Sequence, residues 1–211
     1  MTVQNDIDWE DLCSDENIED MDYERVFGDV DIVEQDDGPN PVCSIAYKPS
    51  FQRAMNYFRG VIRKNEFSSR ALKLTSVCLK HNPANYTVWH YRRACFKKLC
   101  KGQGLNQIPI ELDLEFAAKL GGTNPKNYQV WYHRRALLEI AIKQTNIYFG
   151  DLDNLQHAVK KELGYIESVL RTDAKNYHVS KLIKTSKNLE FPINDNLLCE
   201  IHRLGHTANG C

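Results

Sequence analysis

The sequence predicts an all-α fold, an α–α superhelix (a solenoid) of stacked helical hairpins. Three observations carry this. Asn82-Pro-Ala-Asn-Tyr-Thr-Val-Trp-His-Tyr-Arg-Arg93 recurs 42 residues later as Asn124-Pro-Lys-Asn-Tyr-Gln-Val-Trp-Tyr-His-Arg-Arg135, and a third copy opens at Asp173-Ala-Lys-Asn-Tyr-His-Val179. Around these copies apolar residues return every three to four positions, the helical period. No segment alternates apolar and polar residues between hairpin turns, as a strand would. A repeat of this length marks supersecondary units that cover their apolar faces only by stacking on one another.

The elements follow in order. Residues 1–37 hold 15 Asp/Glu and one base, Arg25, too few apolar groups to offset ordering entropy, so this acidic arm is predicted to be disordered. A turn at Asp37-Gly-Pro-Asn-Pro41 leads to a helix over about 51–64, with Phe51, Met55, Phe58 and Ile62 on one face. Ser68 or Ser69 caps a second helix with apolar positions Ala71, Leu72, Leu74, Val77, Cys78 and Leu79, ending near Asn82-Pro83. The first repeat helix spans about 85–100, and a glycine-bearing loop follows. Pro109 suits the first turn of a helix that Gly121-Gly122 ends near Leu120. The second repeat helix covers about 127–143, and a last one covers 152–171 with Leu155, Val159, Leu163, Ile166 and Leu170 on one face. The organisation is therefore an acidic arm (1–37), helical repeats (38–179) and a divergent tail (180–211).

The 211-residue chain has a formal charge of −1, which hides a split: the arm carries −14 and residues 38–211 carry +13. The basic body suits an anionic ligand or an acidic partner surface. Nucleic acid is the weaker choice, because no zinc-finger, RNA-recognition or helix-turn-helix signature accompanies the charge. No apolar run reaches 18 residues, so no membrane span is expected. Seven cysteines without a Cys-x-x-Cys pair and without a signal peptide read as reduced thiols in the cytoplasm.

Within the second copy, Tyr128, Trp131, Arg135 and Leu138 fall on one helical face, and Val130, Arg134 and Leu137 on another. A helix with two such faces packs against its hairpin partner and against the adjacent repeat. The repeated arginine pair reads as support for neighbouring carbonyls or acids rather than as catalytic, since a catalytic group is seldom needed once per repeat. Positions that differ between copies carry more functional information. The residue two before Tyr is Ala84, Lys126 and Lys175, and the residue after it is Thr87, Gln129 and His178. These lie at helix starts, where free backbone N–H groups and the helix dipole favour anions. On the residues alone Lys126 reads first as an exposed helix-start lysine and second as part of a phosphate-binding rim.

The Asn-Tyr-x-Val-Trp-x-x-Arg-Arg unit resembles the repeats of protein prenyltransferase alpha subunits. With Asp37-Gly-Pro-Asn-Pro-Val42, Tyr57-Phe-Arg59 and Ser69-Arg-Ala-Leu-Lys-Leu-Thr75 in the same order, it resembles in particular the alpha subunit common to the farnesyl and type I geranylgeranyl enzymes, over residues 25–179. The resemblance implies a crescent of helical hairpins around a beta subunit. The pair would transfer a farnesyl or geranylgeranyl group from its diphosphate to the C-terminal Cys of CaaX proteins. It implies no cofactor or metal in this chain: zinc belongs to the beta subunit, and magnesium can accompany the diphosphate. By the same resemblance Lys126 would meet the isoprenoid diphosphate, with Tyr128 lining that site and Gln129 donating to the carboxylate end of the CaaX peptide. Tyr177 and His178 would reach the diphosphate from the third repeat, so that Lys126, Tyr177 and His178 form the catalytic set.

The chain departs from the family after Val179, where Ser180 stands in place of Trp. This predicts a truncated third repeat, a poorly anchored helix start at Tyr177 and His178, reduced stability and little or no transferase activity. Cys199-x-x-His202-x-x-x-His206 has metal-like spacing but lacks a fourth ligand and a finger context. Two alternatives stand beside the enzyme-subunit reading. One is a non-catalytic form that binds the partner subunit, and the other is a helical-repeat scaffold for peptides or proteins.

Overall fold

The computed structural model describes residues 21–43, 45–103, 110–122, 124–143, 152–179, 181, 199 and 203. Among these the regular structure is α-helical, with no strand: α1 (Tyr23–Phe27), α2 (Pro49–Arg63), α3 (Ser69–His81), α4 (Tyr86–Gln103), α5 (Ile110–Gly122), α6 (Tyr128–Lys143) and α7 (Leu152–Thr172). The chain forms two compact units, Met1–Gly102 and Gln103–Cys211. No helix among the described residues is long and apolar enough to cross a membrane.

The first unit differs from expectation at its start. Within the acidic segment predicted to be disordered, Asp22 caps α1 by accepting the Arg25 amide at 3.1 Å, and Tyr23, Phe27 and Val30 are buried. The i, i+4, i+7 spacing of these three apolar residues is a short helical stripe that the surrounding carboxylates obscured. Tyr23 stacks on Tyr57 with centroids 5.0 Å apart, and the Tyr57 hydroxyl donates to Glu24 at 2.9 Å. Residues 29–33 then run along α2. The Val33 amide donates to the Asn56 carbonyl at 3.1 Å, and Arg59 Nε donates to the Val33 carbonyl at 2.8 Å. Asp29 takes both ends of the Arg70 guanidinium, at 2.6 and 2.9 Å, and pairs with Lys64. The Arg70 bonds first, and the Lys64 bond second, hold the Asp29 carboxyl well below the usual carboxylate range. Residues 1–20 lie outside the described residues.

This covering strap explains why the buried face of α2 is Ala54, Asn56, Tyr57, Phe58, Gly60 and Val61, rotated from the predicted stripe, with Ile62 left exposed. Gly60 lets the strap through: a Cβ there would lie 2.4 Å from the Asp31 carbonyl oxygen and 2.8 Å from Val30 Cγ1. Gly60→Ala is therefore expected to cost about 1–3 kcal/mol, the usual range for overpacking. Hydrogen exchange at the Val33 amide would rise selectively, and unchanged exchange there would contradict this account.

α3 begins as predicted, Ser68 Oγ accepting the Ala71 amide at 3.2 Å, and its six predicted apolar positions are all buried. In α4, Val88, Trp89, Cys95, Phe96 and Leu99 are buried. In the second unit α5, α6 and α7 pack on one another. Their core holds Leu114, Phe116, Val130, Trp131, Leu137, Val159, Leu163, Ile166 and Leu170. α5 runs through Gly121 and Gly122 rather than stopping before them, and a Cβ at Gly121 would come 2.9 Å from the Tyr165 hydroxyl.

Candidate functional site

The repeated motif is a self-contained helix start. In the first copy Asn82 Oδ1 accepts the Ala84 amide at 3.0 Å, and Asn85 Oδ1 accepts those of Thr87 and Val88 at 3.1 and 3.2 Å. The Trp89 indole N–H donates to the Pro83 carbonyl at 2.8 Å, tying the helix back to the turn before it. The second copy reproduces this: Asn124 accepts Lys126 N at 3.2 Å, Asn127 accepts Gln129 N at 3.0 Å, and Trp131 donates to Pro125 at 2.7 Å. In the third, Asn176 Oδ1 accepts the amides of His178 and Val179 at 3.1 and 3.3 Å. The spacing of Asn, Pro, Asn and Trp is thus set by one hydrogen-bonded cap.

The first arginine of each pair is structural. Arg92 is fully buried and donates to Ser76 Oγ at 2.7 Å, Thr75 Oγ1 at 2.9 Å and the Leu72 carbonyl at 3.3 Å. Arg134 instead faces a carboxylate: its Nε meets Glu162 Oε1 at 2.9 Å, its Nη2 bonds Glu162 Oε2, and its guanidinium lies 4.0 Å from the Tyr165 ring centroid. Burial pushes the Tyr165 phenol up, with the Arg134 charge opposing. Preceding these, Tyr91 donates to the Glu66 carbonyl at 2.6 Å, and His133 Nε2 sits 2.7 Å from Asp113 with both side chains fully buried.

The predicted site residues occupy two consecutive helix starts of the second unit. Lys126 lies in the turn before α6, its side chain 75% exposed, with Nζ 3.9 Å from Asp173 Oδ2. Tyr128 is 47% exposed, stacks on Tyr132 at 6.1 Å, and meets the His178 ring edge-on at 5.7 Å. Tyr177 is 68% exposed and meets His178 at 5.7 Å. Gln129 is half-buried beside them in the first turn of α6. Tyr128 and His178 also border an open recess with Trp131, Tyr132, Arg135 and Lys181. The structure brings Tyr128, Tyr177 and His178 together through ring contacts, joins Lys126 to the third helix start through Asp173, and leaves Lys126 and Tyr177 off the recess that Tyr128 and His178 border.

Two findings differ from expectation. The amides of Gln129, His178 and Val179 are already taken by asparagine side chains, so an anion at this rim would be met chiefly by side chains. The third helix start is also well anchored. Val179 is fully buried, Asn176 is 2% exposed, and Asn176 Nδ2 donates to the Pro125 carbonyl at 3.1 Å, the same acceptor Trp131 uses. The partner of Asn176 is 51 residues away, which no local pattern announces. Asp173 was legible, as the one acid where the other copies have Asn82 and Asn124, and was missed. Among the described residues no group of three or more His, Cys, Asp or Glu could hold a metal ion, and most of the Cys199–His206 motif lies outside them.

Comparison with known proteins bears on the repeat and the fold. The family described as "Protein prenyltransferase alpha subunit repeat" matches residues 68–99 and 110–141, the α3–α4 and α5–α6 hairpins. The chain is similar to the "Protein farnesyltransferase/geranylgeranyltransferase type-1 subunit alpha" of Arabidopsis thaliana, 51% identical over 73 residues, which is 35% of this chain and 22% of that protein. The protein of the same description from Dictyostelium discoideum is 44% identical over 73 residues, 35% of this chain and 23% of the relative. That from Solanum lycopersicum is 40% identical over 96 residues, 46% of this chain and 26% of the relative. The matched stretch therefore spans about a quarter of these relatives' length. The fold matches a solved chain of "Candida albicans protein geranylgeranyltransferase-I complexed with GGPP" with a TM-score of 0.65 and 22% identity, covering 86% of this chain and 58% of that one.

Proposed function

We propose, from the premise that the hairpins at 68–99 and 110–141 are protein prenyltransferase alpha subunit repeats, that this chain serves as the alpha component of a heterodimeric CaaX protein prenyltransferase. Its partner is a beta subunit that supplies the zinc. The pair transfers a farnesyl or geranylgeranyl group from the diphosphate to the terminal-motif cysteine of target proteins in the cytoplasm. The observation that carries this is the pairing of two successive helix starts, with the Tyr128 and His178 rings 5.7 Å apart and Lys126 Nζ 3.9 Å from Asp173 of the third start.

In this reading Lys126 offsets charge on the leaving diphosphate, which is stabilisation where charge develops. Tyr177 and His178 contribute hydroxyl and imidazole donors to the same oxygens, and Tyr128 lines the site. Gln129 donates to the peptide carboxylate. The exposed lysine is preorganised by its turn, because its own amide is fixed on Asn124 at 3.2 Å.

The test is association with a beta subunit followed by binding of geranylgeranyl diphosphate, read by displacement of a fluorescent analogue. Lys126→Ala is expected to weaken that binding roughly tenfold, about one lost charge-assisted contact. Failure to co-purify with any beta subunit would overturn the reading. Ser180, standing where the repeat requires a tryptophan, favours a second reading: a form that occupies the beta subunit with little or no turnover. Prenyl transfer to a CaaX peptide separates the two, normal turnover excluding the second.

A further inference from the structure

We infer that Asp173 is a positioning residue for Lys126: its carboxylate is the resident counter-ion of the lysine and yields it to an incoming diphosphate. The inference rests on the proposed role of Lys126 and goes beyond it by assigning the group that competes for that lysine.

The repeat itself isolates the charge at 173. The aligned positions in the other copies are Asn82 and Asn124, whose side-chain oxygens accept the amides of Ala84 and Lys126 at 3.0 and 3.2 Å. That turn needs an oxygen acceptor and not a charge. The third copy is the one with an acid. Its Oδ2 lies 3.9 Å from Lys126 Nζ, on the residue that replaces Ala84 of the first copy. Acid and lysine therefore appear as a pair across the boundary between consecutive repeats.

The pair is held in register by its surroundings. The Asp173 amide donates to the Val169 carbonyl at 2.9 Å, and its carbonyl accepts the Asn176 amide at 3.1 Å. Asn176 Nδ2 reaches Asp173 Oδ2 at 3.5 Å and the Pro125 carbonyl at 3.1 Å, and Pro125 directly precedes Lys126. One buried asparagine thus bolts the acid's turn to the lysine's turn, so neither can drift from the other. Asp173 is about one quarter exposed while Lys126 is 75% exposed. The lysine can swing from its counter-ion to an anion in solvent without breaking a buried contact. Exposed pairs of this kind are weak enough to exchange.

The test is calorimetric titration of inorganic diphosphate into the full 211-residue chain and its Asp173→Asn, Asp173→Glu, Lys126→Ala and Lys126→Ala/Asp173→Asn variants. Asp173→Asn, the native residue at the aligned positions, is expected to leave the unfolding midpoint unchanged and to tighten diphosphate binding about two- to fivefold. Asp173→Glu keeps the parent affinity within about twofold, because the counter-ion remains. The double variant should bind no better than Lys126→Ala alone. If Asp173→Asn has no effect, or tightens binding equally without Lys126, the inference is overturned while the role of Lys126 survives. If Lys126→Ala itself leaves affinity unchanged, both fall together.

Discussion

Glu162→Ala is expected to destabilise residues 103–211 by about 3–5 kcal/mol, the cost of stranding a buried charge. Arg134 and Glu162 are 2% and 3% exposed, and Nε and Nη2 of the guanidinium each bond one carboxylate oxygen. Without Glu162 the guanidinium keeps the Leu114 carbonyl and the Tyr165 ring face, which cannot neutralise it. Urea unfolding gives the magnitude, and hydrogen exchange in α6 and α7 locates it. A double variant, Arg134→Met with Glu162→Leu, should recover most of the loss, since a buried pair replaced by apolar groups of similar volume is often neutral. A loss below about 1 kcal/mol for Glu162→Ala would mean that water reaches the pair, contrary to its burial. The first copy offers an internal control. There Arg92 donates to Thr75 Oγ1, Ser76 Oγ and the Leu72 carbonyl, and Thr75→Val, which removes one neutral acceptor, should cost less, about 1–2 kcal/mol.

Trp89→Ala should cost about 3–5 kcal/mol by opening a cavity in the first unit. The side chain is fully buried, and an indole carries on the order of 200 Å² of surface into the core. Its N–H also bonds the Pro83 carbonyl at 2.8 Å, closing the turn that starts α4. Trp89→Phe separates the two contributions, keeping most of the apolar volume while losing the bond. It should cost about 1 kcal/mol more than a volume change alone, the net worth of the lost indole hydrogen bond to the Pro83 carbonyl. Thermal unfolding followed by circular dichroism reads both variants. Equal costs for Ala and Phe would show that the bond, and not the volume, fixes the helix start. The same cap operates at Trp131 and Pro125, with Asn176 sharing the carbonyl. In the third copy Ser180 has no indole to offer. There Val179 burial and the Asn176 bond hold the turn without a tryptophan.

Much of this was legible because it is local. Asn, Pro, Asn and Trp at fixed offsets define a cap whose donors and acceptors lie within six residues, and Ser68 caps α3 by the same logic. The variable positions two before and one after each Tyr mark helix starts and single out Lys126, Gln129 and His178, whereas Tyr128 and Tyr177, constant in the repeat, were implied only by the resemblance. The strap was lost to composition: 15 acids outweighed the short stripe of Tyr23, Phe27 and Val30, although Asp22 already signals a helix cap. The face of α2 was displaced for the same reason, since the stripe reading assumed one covered side where the strap adds a second.

By itself the sequence determined the all-helical class, the repeat, the start of α3 and the identity of the residues that vary at the helix starts. Those properties depend on period and on hydrogen bonds between near neighbours along the chain. Only the tertiary structure decided that Arg134 meets Glu162, that His133 meets Asp113, that Asn176 bolts one turn to the next, and that Asp173 stands beside Lys126. These partners lie 20 to 51 residues apart along the chain. Which acid or carbonyl a buried cation reaches is set by how helices pack, and no periodicity within either helix encodes that choice.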